Sequence, residues 1–137
     1  MLQDTLTQQQ WQDFQEQGYV HLGTAAAEET AALQQRIDDI MMGTADIDYD
    51  KVAMQLDRAD GPDSKPGPQS RGHKGAHLDY RKIQDLEIDP LFLAYLQKPL
   101  YRDICSHAYG AAADVACFRA MFMNKPSGLG SYLIWHQ

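Results

Sequence analysis

The sequence predicts an α+β fold, and three observations carry that prediction. Two stretches with helical apolar spacing and cap residues at their ends fill the first third of the chain. Apolar alternation and a nine-residue run rich in strand formers come later. A length of 137 residues holds one core rather than two.

Thr7 is a favourable N-cap, and Gln10 three residues on completes a capping box around it. Leu6 and Trp11 occupy the two positions of a hydrophobic staple. Trp11 and Phe14 follow at helical spacing, and Gly18 can close this first helix in the left-handed conformation. Residues 19–22, Tyr-Val-His-Leu, read as a short strand stopped by Gly23. A second helix is expected over residues 26–42, with Leu33, Ile37, Ile40 and Met41 on one buried stripe and Gly43 at its end. Glu28 and Glu29 fall in its first turn, where the helix dipole favours acids.

Residues 44–60 are acidic, and Val52, Met54 and Leu56 alternate within them as one strand. Residues 61–77 hold four Gly and three Pro, too many for a regular element to persist. A long surface loop, reaching from about residue 58 to 79, is therefore expected. Residues 80–86 are predicted to be extended. Asp89-Pro90 then supplies the N-cap and first position of a short helix carrying Leu91, Phe92, Tyr95 and Leu96. Pro99 opens another helix with Leu100, Ile104 and Ala108 on one face and Gly110 at its end. The run 115–123, Val-Ala-Cys-Phe-Arg-Ala-Met-Phe-Met, reads as a strand buried on both faces. A turn over 124–130 and a last strand over 131–136 follow.

Composition narrows the functional classes. Hydrophobic residues make up 44% of the chain and charged residues 23%, a globular balance. Nineteen acidic against twelve basic residues give a formal charge of −7, which argues against a nucleic-acid partner. No apolar run reaches the roughly 20 residues that span a bilayer, and Met1-Leu2-Gln3-Asp4-Thr5 lacks the features of a secretory signal. Cys105 and Cys117 lack CxxC spacing and are expected to be small buried hydrophobes in a reduced, cytoplasmic protein.

Five histidines are available, none in an HExxH motif. In an extended segment His77-Leu78-Asp79 would aim an imidazole and a carboxylate at one side, a metal-binding pattern, but at the end of a Gly/Pro-rich loop it reads first as an ordinary loop pair. At the other end, Ile134 and His136 share one face of the expected last strand. By themselves, Lys82 beside Arg81 reads as a solvated strand edge and Met121 as core.

Several of these pieces, in this order, resemble one family. Phe14-x-x-x-Gly18-Tyr19-Val20 followed by a helix is similar to the opening of phytanoyl-CoA dioxygenase-like proteins, which are iron(II)/2-oxoglutarate-dependent oxygenases. Arg81-Lys82-Ile83-Gln84-Asp85-Leu86, then Asp89-Pro90 and paired short helices ending at Gly110, resemble its middle segment. Met121-Phe122-Met123-Asn124-Lys125-Pro126 and Trp135-His136-Gln137 resemble the approach to its His-Gln-Asp metal motif.

The resemblance implies a fold of N-terminal helices plus the first strands of a double-stranded β-helix (jelly roll). It implies His136 as one ligand of a two-His-one-carboxylate Fe(II) site, a triad that leaves positions open for 2-oxoglutarate and O₂. It implies Lys82 as a cation binding 2-oxoglutarate, Met121 as a lining residue of that site, and Gln137 as the residue between two metal ligands.

Residues 1–137 are expected to match the N-terminal half of one such domain, a small-molecule hydroxylase. The remaining triad residues and a 2-oxoglutarate-binding Arg would follow residue 137. As this chain alone, very weak iron binding, no turnover and self-association through uncovered strands are expected. The alternative is a small non-catalytic α+β domain that binds a partner through exposed apolar strands.

Overall fold

The computed structural model describes residues 2–57 and 66–125. Four α-helices and a four-stranded antiparallel sheet are formed within them: α1 (Gln8–Gln17), α2 (Ala27–Met42), β1 (Ala53–Leu56), β2 (Ser70–Arg71), β3 (Tyr80–Gln84), α3 (Pro90–Leu96), α4 (Pro99–Tyr109) and β4 (Met121–Met123). Short 3₁₀ turns at Tyr49–Lys51 and Leu86–Ile88 lead into β1 and out of β3. The fold is α+β, with strand order β2-β1-β3-β4.

Local chemistry accounts for the helices. Thr7 accepts from the Gln10 amide while the Gln10 side chain returns to the Thr7 backbone, closing the expected capping box. Gly18 and Gly43 end α1 and α2 with φ of 79° and 76°, a region that costs an L-side chain energy and costs glycine little. Asp89 caps α3 through the amides of Leu91 and Phe92, with Pro90 next in line.

Packing then buries one side of the sheet. Met54, Ile83 and Phe122 are neighbours across three strands and lie against Ile37, Ile40 and Met41 of α2. Val52, Tyr80, Leu86 and Ala120 complete that core, with Phe92 and Leu96 of α3 at its margin. An ion pair 2.7 Å long joins Arg36 of α2 to the buried Asp89, so the α3 cap is also the tie between two helices. The α1 helix buries no residue of its own. It is held to α4 by the Leu6 amide on Asp103 (2.7 Å) and by Trp11 packed on the His107 ring.

Several expectations give way to tertiary context. Residues 19–22 are irregular, with no strand beside them among the described residues to complete a ladder. The loop over 61–77 contains a short strand: β2 pairs antiparallel with β1 despite the surrounding Gly and Pro. Residues 115–123 do not form a strand buried on both faces. Only Met121–Met123 pair with β3, and Phe118 is 90% exposed. The reason lies in the neighbour: β3 stops at Asp85, whose left-handed backbone (φ 66°) turns the chain into a 3₁₀ helix and removes the partner strand. For the same reason Cys117 is exposed rather than buried; Cys105, on α4, is half-buried rather than buried. The expected strand over 131–136 lies outside the described residues. Among the described residues, no helix is long and apolar enough to cross a membrane.

Candidate functional site: the open face of the sheet

The face of the sheet turned away from α2 carries two cross-strand rows. Gln55, Lys82 and Met123 form one; Ala53, Gln84 and Met121 form the other. Alternation along β3 and β4 places these side chains opposite Ile83 and Phe122, which enter the core. Lys82 and Met121, singled out from the sequence, are therefore brought to one face, a diagonal apart.

A bulge makes this arrangement possible. Leu56 pairs with Tyr80 but Gln55 with Lys82, so Arg81 is an extra residue on β3. Without it, Tyr80, Lys82 and Gln84 would all project to one side. With it, Tyr80 turns into the core, fully buried, while Lys82 stays on the open face. The extra residue is itself accommodated: Arg81 lies 3.9 Å from the carboxylate of the buried Asp57.

Lys82 is half-exposed, and its ammonium has no hydrogen-bond or ion-pair partner among the described residues. Beside it the face is apolar but open, Met121 and Met123 being 46% and 47% exposed. Gln84, by contrast, is buried and heavily engaged. Its oxygen accepts from Gln69 and from Arg119 (3.1 Å), and its amide donates to the Met121 sulfur (3.4 Å). Arg119 also lies 3.4 Å from Asp85.

Neither Gln84 nor Arg119 is picked out by composition or motif. One signal for Arg119 was available: it is in phase with Met121 and Met123, so an extended chain puts all three on one side.

The other sequence candidates fall elsewhere. His77 and Asp79 approach each other, with 3.9 Å between ring nitrogen and carboxylate, and His77 stacks on Tyr80 at 5.2 Å. No third donor joins them: among the described residues, no group of three or more His, Cys, Asp or Glu side chains is placed to hold a metal ion. His136 and Gln137 lie outside the described residues. A groove of about 370 Å³ does form, lined by Asp38, Met41, Asp79 and Phe122 among others, but on the helix side of the sheet rather than beside Lys82.

Titration behaviour is dominated by burial of phenols. Burial raises the Tyr80 hydroxyl above its ordinary value, against the opposing hydrogen bond from the Lys74 amide. Tyr49 and Tyr101 are raised by the same cause.

Searches against protein-family models, curated proteins and solved structures find no match for this chain.

Proposed function

We propose that this chain supplies the N-terminal helices and first strands of an iron(II)/2-oxoglutarate-dependent oxygenase of the phytanoyl-CoA dioxygenase type, with a jelly-roll core and a small organic substrate. The observation that supports this reading best is the placement of Lys82. Among the described residues the Lys82 ammonium has no partner, and it stands on the face of the sheet turned away from α2, beside the apolar Met121 and Met123. That environment suits one carboxylate of 2-oxoglutarate, since a fixed cation in partly apolar surroundings gains from a charged partner.

On this reading Lys82 binds and orients the cosubstrate, while Met121 shields it from solvent. Bound iron would supply the oxidising chemistry, and His136 is its proposed ligand. The described side chains alone do not fit a metal, because they form no three-donor group. Their share of the work is binding and water exclusion.

The test is calorimetric titration of the full chain with 2-oxoglutarate, alongside Lys82→Ala and Lys82→Arg. Loss of a charge-assisted hydrogen bond should weaken binding roughly tenfold or more in Lys82→Ala, with partial recovery in Lys82→Arg. Equal affinity in the alanine variant refutes the reading.

One observation favours a second reading, a non-catalytic domain that docks a partner. Val115, Phe118, Met121 and Met123 expose apolar surface within one short stretch. A sharp, concentration-independent monomer in sedimentation, with no gain in solubility on Phe118→Ser, counts against a sticky docking face.

A further inference from the structure

We infer that the groove on the helix side of the sheet is a binding site for a small organic cation, a primary alkylammonium. It lies across the sheet from Lys82 and does not depend on the reading of that residue.

The groove is bounded by α2 on one side and, on the other, by the end of β4 and the residues leading into β3. Its volume of about 370 Å³ falls within the range of small-ligand sites. The base is apolar: Met41 is buried, Phe122 half-buried, and Leu78 is 50% exposed. These side chains suit a short hydrocarbon body. The polar groups around them are of one kind. Asp38 and Asp79 bring two carboxylates, Gln34 and Asn124 two carboxamides, and no Lys, Arg or His side chain lines the groove among the described residues.

The hydrogen bonds already made decide what these groups can offer. Gln34 donates its side-chain N–H to Asp38 (2.8 Å), and Asn124 donates to the Leu78 carbonyl (3.0 Å). Both acceptors lack a hydrogen, so the contacts fix which end of each carboxamide is nitrogen. The two carboxamide oxygens receive no hydrogen bond among the described residues. Asp79 is held but not satisfied. Its amide donates to His77 Nδ1 (3.3 Å) and its carbonyl accepts from the Asp57 amide (2.8 Å), which ties the backbone on both sides. Its carboxylate, 57% exposed, lies 3.9 Å from that same ring nitrogen, beyond hydrogen-bond reach. A nitrogen that accepts from the amide also has no proton to give the carboxylate. Acceptors and negative charge thus stand over an apolar base. A fitting ligand brings N–H donors, positive charge and a hydrocarbon body together, and a primary ammonium carries three donors on one compact charge. The net charge of −7 attracts any cation from a distance, whereas the groove selects among cations.

The experiment follows methyl and amide NMR shifts of the full chain as n-butylammonium, n-butyltrimethylammonium or 1-butanol is added at constant ionic strength. The quaternary ion keeps the charge and chain but has no N–H; butanol keeps the chain but has no charge. Shifts centred on Met41, Leu78 and Phe122 are expected, with n-butylammonium bound about fivefold or more tightly than either control. Asp38→Asn and Asp79→Asn each remove a charge at nearly constant shape and should weaken that binding about tenfold, thermal melting confirming that both are folded. Glu16→Gln, on the distant α1 helix, lowers the net charge equally and should change it by less than about twofold. Equal losses in all three variants mean attraction to the whole chain rather than to the groove, and overturn the inference. Equal affinity for the quaternary ion, or shifts that leave Met41, Leu78 and Phe122 unmoved, overturn it as well.

Discussion

Asp89 carries two structural tasks on one carboxylate, so its replacement should cost more than the loss of an ordinary helix cap. One oxygen accepts from the amides of Leu91 and Phe92 at 2.9 and 3.3 Å; the other accepts from Arg36 at 2.7 Å. The Asp89 side chain is wholly buried and that of Arg36 is 24% exposed. Removing an N-cap acceptor costs about 1 kcal/mol. Losing a charge-assisted hydrogen bond costs about 1.5–3 kcal/mol, and partial exposure of Arg36 favours the lower end because water can take up the freed guanidinium. Asp89→Ala should therefore destabilise the fold by about 2–4 kcal/mol. Asp89→Ser restores an N-cap acceptor without the charge and should recover about 1 kcal/mol of that loss. Urea unfolding followed by circular dichroism measures both, provided the denaturant slope is unchanged. In an Arg36→Met background the cost of Asp89→Ala should shrink to the cap contribution alone. Strict additivity of the two substitutions would refute the coupling, and a loss below about 1 kcal/mol for Asp89→Ala would refute the dual role.

Gly43→Ala should cost about 1–3 kcal/mol in the same assay. Its φ of 76° is unfavourable for alanine, and the new Cβ would lie 2.8 Å from the His73 ring. That ring cannot easily retreat, being bonded to the Met41 carbonyl and packed against Tyr49 and Tyr80. Tyr80→Phe should cost about 1–3 kcal/mol, because the hydroxyl that donates to the Gly75 carbonyl and accepts from the Lys74 amide is lost. Stability should also fall in alkali. The Tyr49, Tyr80 and Tyr101 phenols have raised folded-state values, so their contribution is intact below the unfolded value of about 10 and is lost as pH rises through the folded ones. Urea midpoints that rise between neutral pH and pH of about 11 would contradict this sign.

What could be read of the candidate site in the sequence was residue choice, not arrangement. Lys82 and Met121 stand out by resemblance, yet their meeting on one face depends on the register of β3 with β4 and on the bulge at Arg81. Gln84 and Arg119 are ordinary in sequence. They gain meaning from a contact between residues 35 positions apart. The His77–Asp79 pattern does form as a close pair, but geometry brings it no third donor among the described residues.

The sequence by itself determined the features whose partners lie within about four residues. The Thr7 capping box, the Asp89-Pro90 helix start, the left-handed Gly18 and Gly43, and the Val52-Met54-Leu56 alternation all occur as read. Such hydrogen bonds and backbone preferences are satisfied locally, so neighbouring side chains suffice to specify them. Only the tertiary structure decided which apolar runs became strands, because a strand's hydrogen bonds are made by another segment. Residues 70–71 found β1 and became a strand among glycines and prolines; residues 115–119, richer in strand formers, lost their neighbour where Asp85 turns the chain away.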